Sequence, residues 1–114
     1  MTELTTTGTW MVDETKEGAF VEAWAEFARW ASSLPGATTL RLGRDGDNPR
    51  RFVSFAAWST PESVKAWKTS PDFNERIAQV LQHVDDFHNE ELAVVAVATA
   101  GTKTVALASG PSAR

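Results

Sequence analysis

Five tryptophans and no tyrosine stand out in a chain of 114 residues, because a large indole with a single N–H suits either a packed core or the wall of an aromatic pocket. Trp67, three residues after Val64 in a helical segment, fits both descriptions equally. Trp58 closes a strand on the face it shares with Phe52 and Ala56, which favours packing. Trp24 is central on a helical stripe and reads as core, whereas Trp30 lies near the edge of that stripe and reads as a cover or a pocket rim. Of the two histidines, His83 falls on the flank of its helix. A solvated or hydrogen-bonded side chain is the ordinary outcome there, and a catalytic base is the sharper alternative. His88 stands beside Asp85, Asp86, Glu90 and Glu91, but no His-x₃-His or carboxylate pattern with a second shell accompanies it. A solvated helix-to-strand connection fits that cluster better than a metal site. Arg41 and Arg44 could meet an acidic substrate group, although hairpin charges usually stay at the surface. The run Asp45-Gly46-Asp47-Asn48 lacks the glycine spacing and terminal Glu of a calcium loop. The absence of cysteine excludes disulfides, thiolate catalysis and Cys-based zinc sites, and no phosphate loop or nucleophile elbow occurs.

The elements that must position these residues can be read from periodicity. Leu4 to Val12, rich in Thr, reads as a first strand. From about Lys16 to Leu34, Phe20, Trp24, Phe27, Ala31 and Leu34 recur at helical spacing, with Glu22, Glu26 and Arg29 off the stripe. Pro35-Gly36 stops this helix. Thr38 to Leu42 and Arg51 to Ser59 read as a hairpin around the polar cluster 44–49. Both faces of its second strand are mostly apolar, so cover on both sides is expected. Thr60-Pro61-Glu62 and Ser70-Pro71-Asp72 each combine a hydroxyl N-cap, Pro at the first helical position and an acid in the first turn. The second of these helices carries Phe73, Ile77, Val80, Leu81 and Val84 on one face. Leu92 to Thr99 reads as the last strand, Lys103 to Ala108 as a short edge strand or arm, and residues 109–114 as a flexible tail. The order β-α-β-β-α-β predicts an α+β, ferredoxin-like domain over 1–108, with an antiparallel sheet covered by helices on one face. A second copy on the other face, giving a homodimer, is the economical way to cover it.

Bulk properties narrow the partners. A net charge of −4 offers no basic footprint for nucleic acid or an anionic membrane. No apolar run reaches the roughly 18 residues of a membrane span, and Met1-Thr2-Glu3 does not begin a signal peptide, so a cytoplasmic protein is expected.

The segments Phe55-Ala56-Ala57-Trp58-Ser59-Thr60-Pro61-Glu62 and Ala66-Trp67-Lys68-Thr69-Ser70-Pro71-Asp72-Phe73, with the Pro35-Gly36 break, resemble the antibiotic biosynthesis monooxygenase-like (ABM) family of dimeric α+β barrels over roughly Lys16 to Val97. One branch of that family degrades haem. It implies a pocket Trp, matched by Trp67, an axial His where this chain has Ile77, and a first-strand Asn where it has Thr9, Trp10 and Met11. The other branch implies a cofactor-independent monooxygenase acting on a small aromatic, anthrone-like or polyketide-like substrate, whose own enolate passes an electron to O₂. For that reading Trp67, Trp58 and Phe73 would be substrate-binding walls, the Trp67 N–H a donor to an oxyanion, and His83 a base, with no metal or other cofactor required. The alternative expectation is a non-catalytic dimeric module that binds an aromatic or haem-like ligand.

Overall fold

The computed structural model describes residues 3–101 and the short strand 105–106. Strand β1 (Leu4–Met11) leads through a single 3₁₀ turn into helix α1 (Glu17–Ser32). Asp13 caps the turn by accepting from the Thr15 N–H and hydroxyl at 2.9 and 2.6 Å, and these bonds hold its carboxyl below the usual range. The α1 stripe Phe20, Trp24, Phe27, Ala28 and Ala31 is buried. At Gly36 the backbone takes φ +90° and a Cβ would run into Ser63, which accounts for glycine between α1 and β2.

Strands β2 (Ala37–Arg44) and β3 (Arg51–Trp58) form the hairpin. In its turn the Asp45 carboxylate accepts from the Asp47 N–H and pairs with Arg51 at 3.0 Å, so its pKa is lowered as well. Helices α2 (Pro61–Thr69) and α3 (Pro71–Leu81) start where the hydroxyl-Pro-acid signals place them. Thr60 accepts from the Ser63 N–H and Ser70 from the Asp72 N–H. Val84 lies beyond the end of α3, although it packs against the core from the connection that follows.

The last strand of the sheet is not where the β-branched run predicts it. Strand β4 is Asp86–Ala93, the polar stretch read above as a helix-to-strand connection. The run after it forms only the two-residue β5 (Ala96–Val97), paired with β6 (Val105–Ala106). An edge strand needs few apolar side chains and is safer with charged ones, and β4 turns only Phe87 into the core. Two anchors set its start: the Asp85 N–H donates to the Met11 carbonyl at 2.8 Å, and the Asp85 carboxylate meets Arg50 at 2.9 Å. The tail at 109–114 lies outside the described residues.

The sheet order is β2-β3-β1-β4, antiparallel throughout, which is the predicted ferredoxin-like α+β arrangement. The chain alone forms an open sheet, not a closed barrel. The helices bury the face carrying Thr6, Trp10, Phe52, Ala56 and Trp58, whereas Phe55 on the other face is 48% exposed.

Gly8 sits at the centre of the helix-covered face, opposite Ser54 on β3 and Asn89 on β4. The Trp10 indole N–H reaches over it to donate to Ser54 Oγ at 3.0 Å. A Cβ on Gly8 would lie 2.9 Å from both bonded atoms and 3.1 Å from the Phe87 ring. Gly8→Ala is therefore expected to part that hydrogen bond and to destabilise the fold by about 1–3 kcal/mol, measured as a lowered denaturation midpoint with an unchanged m-value.

Candidate functional site: an aromatic cavity under the helices

Between the helices and β1, β3 and β4 lies a cavity of about 40 Å³, room for roughly three water molecules. Thr6, Gly8, Ser54 and Ala56 form its floor, Trp24 and Phe27 of α1 one wall, and Trp67, Phe73 and Ile77 of α2 and α3 the other. Trp67 is the hub of the aromatic packing. It stacks on Trp58 at 4.7 Å and 29°, meets Phe73 edge-on at 5.2 Å and 88°, and lies 5.9 Å from Phe27. Contacts of this geometry add to area burial and hold the ring rigidly.

Polar partners separate the two stacked indoles. The Trp58 N–H donates to Thr6 Oγ1 at 3.3 Å. The Trp67 N–H is equally buried and has no acceptor among the described residues. A buried, unpaired donor forfeits its full hydration, at about 1–3 kcal/mol, and a native structure that keeps one invites a functional account. Lys68 follows on the cavity's edge and pairs with Glu91 of β4, Nζ to Oε2, at 2.7 Å. Asn89 completes the rim.

Three of the four predicted site residues are thus brought together. Trp67 and Phe73 line the cavity, and Trp58, 1% exposed, backs Trp67 from beneath. His83 is not among them. It lines an outer groove between α1 and α3 with Glu22, Glu26, Gln79 and Gln82. His88 faces the open side of the sheet, opposite Thr9 and 3.7 Å from Glu90, and no metal-binding cluster of three or more His, Cys, Asp or Glu occurs among the described residues. Arg44 is engaged by Glu17 at 2.7 Å, and Arg41 borders a shallow groove on the open face with Phe55. Trp30 forms a rim, half-buried beneath the Arg76 guanidinium at 5.0 Å.

Thr6, Gly8, Trp10, Lys68 and Asn89 also line the cavity and escaped sequence reasoning. The alternation Phe87-x-Asn89-x-Glu91 was the available signal, a period of two with one apolar anchor. Ile77 is on the wall where the resemblance implies an axial His, and no described lining residue carries an imidazole, thiolate or thioether. The residues therefore do not fit a haem held by such a ligand.

Comparison with known proteins identifies the lineage. The model of the family described as antibiotic biosynthesis monooxygenase matches residues 4–89. The chain belongs to the ABM family. Among solved structures, SnoaB, a cofactor-independent oxygenase from Streptomyces nogalater, is 19% identical, with a TM-score of 0.72 over 90% of this chain and 100% of that one. A Chloroflexus aurantiacus protein described as an antibiotic biosynthesis monooxygenase is 22% identical, with a TM-score of 0.69 over 87% and 99%. A conserved protein from Methanosarcina mazei is 14% identical, with a TM-score of 0.73 over 81% and 92%. At these identities the likeness is one of fold. The sequence matches none of the curated proteins. No helix among the described residues is long and apolar enough to cross a membrane.

The difference between the two indoles is measurable. Trp58→Phe breaks a buried hydrogen bond and strands Thr6 Oγ1, whereas Trp67→Phe removes a donor that had no partner. By chemical denaturation, Trp67→Phe is expected to be the milder change, by about 1 kcal/mol.

Proposed function

We propose that this protein is a small monooxygenase that oxidises a flat aromatic, polyketide-like substrate with O₂ and no bound cofactor. The observation that carries the reading is the unpartnered Trp67 N–H in an aromatic-walled cavity of an ABM-family chain. In such a reaction an activated ring methylene becomes a carbonyl. One oxygen atom of O₂ enters the carbon, and the other leaves as water with the two methylene hydrogens. The substrate supplies the electrons through its enolate, so the protein has to orient a ring, exclude water and stabilise an oxyanion. Trp67 is suited to the last task because its rigid N–H has no competing acceptor. A cavity of about 40 Å³ takes the carbonyl-bearing edge of such a molecule, with the remaining rings across the rim at Lys68 and Asn89.

Binding without turnover is the second reading, and the scarcity of acid–base groups favours it, since Lys68 is the one titratable residue among the described lining. Oxygen uptake separates the two. With 1,8-dihydroxyanthrone as probe, the protein is expected to consume O₂ and form the quinone. Trp67→Phe should lower kcat/KM by roughly 10- to 100-fold while the melting transition stays cooperative. Fluorescence quenching by the anthrone without O₂ consumption by the native protein would select the binding module instead.

The same reading includes a homodimer through the open sheet face. Phe55 and Leu92, each 48% exposed, share that face with Val53 and the Thr5, Thr7 and Thr9 row. A single copy leaves them in water, and a second copy would cover them at no cost to the helix side. Light scattering is expected to give twice the chain mass. Phe55→Asp should shift the protein toward the chain mass without loss of helical circular dichroism. A native protein already at the chain mass would rule the dimer out.

A further inference from the structure

The Lys68–Glu91 pair stands apart from the other ion pairs among the described residues. Arg29–Glu26, Arg44–Glu17, Arg50–Asp85 and Arg51–Asp45 have no member on the cavity lining, whereas Lys68 is part of it and directly follows Trp67. The Lys68 side chain is three-quarters buried, whereas that of Glu91 is half exposed. Glu91 sits opposite Thr6, on the helix-covered side of β4 and two residues beyond Asn89. Glu91, outside the lining and half exposed, is thereby held 2.7 Å from the ammonium of a lining residue of a cavity that contains an N–H donor unpaired among the described residues.

The geometry points to Glu91 as the base that deprotonates a carbon acid at this site, with Lys68 and the Trp67 N–H holding the enolate that results. This assignment rests on the aromatic-substrate reading and deepens it. The C–H bond of a ring methylene conjugated to a carbonyl breaks, and its proton goes to a Glu91 carboxylate oxygen. The electron pair moves through the ring to the carbonyl carbon–oxygen bond and rests on oxygen. Charge is conserved locally: the ammonium begins beside a carboxylate and ends beside an enolate, so at no point is it left without a counter-ion. A pair with one member half open to solvent contributes little to stability, and its position here gives it a chemical use. The same pairing answers the shortage of acid–base groups on the lining, because Glu91 stands just behind Lys68.

Proton abstraction can be observed without oxygen. In anaerobic D₂O, the loss of the methylene proton signal of 1,8-dihydroxyanthrone reports C–H exchange, and tryptophan quenching by the same compound reports binding. The native protein is expected to accelerate exchange above the buffer rate. Glu91→Gln should slow it by about 100-fold, within the range for loss of a general base, with quenching retained. Glu91→Asp, which keeps a carboxylate, should recover part of the rate, and Lys68→Met should both slow exchange and weaken binding. Exchange at the native rate in Glu91→Gln would overturn the assignment, as would a native protein that binds the anthrone but leaves exchange at the buffer rate. Accelerated anaerobic exchange without O₂ uptake would uphold the base and refute the monooxygenase. Failure to bind the anthrone would remove both.

Discussion

The pairing of β1 with β3 on one side and β4 on the other determines nearly everything else in this molecule. Thr6, Gly8 and Trp10 point toward the helices because the register sets them against Ala56, Ser54 and Phe52 and against Glu91, Asn89 and Phe87. Side chains alternate along a strand, so a slip of one residue would carry Thr9, Val53 and His88 under the helices and expel Trp10 and Phe52. The aromatic contacts enforce the observed choice. Trp10 lies 4.2 Å from Phe87 and 5.5 Å from Phe20, and Phe20 lies 5.1 Å from Phe52, so one indole ties α1 to three strands.

Within that frame the cavity results from what the central strand withholds. Gly8 presents no side chain at the point where Trp10, Ser54 and Phe87 converge, and the surrounding rings are too large and too rigid to collapse into the gap. Trp10, Trp58 and Trp67 thereby divide by partner. Trp10 and Trp58 satisfy their N–H groups on Ser54 and Thr6, whereas Trp67, equally enclosed, does not. Stability would be served by an acceptor within reach of Trp67, and its absence is the kind of local deficit that functional sites carry.

Helices and caps were legible in the sequence because their signals are local. Thr60-Pro61-Glu62 and Ser70-Pro71-Asp72 encode hydrogen bonds spanning two or three residues, and the α1 stripe is long enough for its period to be unambiguous. β4 was not legible, since an edge strand with one inward aromatic has almost no hydrophobic pattern, and the neighbouring β-branched run supplied a stronger but misleading one. That misplacement concealed the β4 side of the rim: Asn89 acquires a relation to Trp67, and Glu91 to Lys68, only once β4 is placed beside β1. Trp67 itself was recoverable from its surrounding motif. Its missing hydrogen bond was not, because an unsatisfied donor is a property of all the elements around it and of no single one.

The same alternation separates two kinds of surface. On β3, Phe52, Ser54, Ala56 and Trp58 serve the cavity and core, while Val53, Phe55 and Ala57 face outward. On β4, Phe87, Asn89 and Glu91 serve the helix side, while His88, Glu90 and Leu92 share the open face. Side chains on these two strands alternate between the faces, so substitution on one leaves the packing of the other intact to first order. What connects them is the backbone of β1, whose two ladders hold both rows in register. Substitution at the rim can therefore leave the open face unchanged. In this chain Ile77 stands on the cavity wall, and the polar groups at the rim, Lys68 and Asn89, come from α2 and from the strand at the sheet's edge.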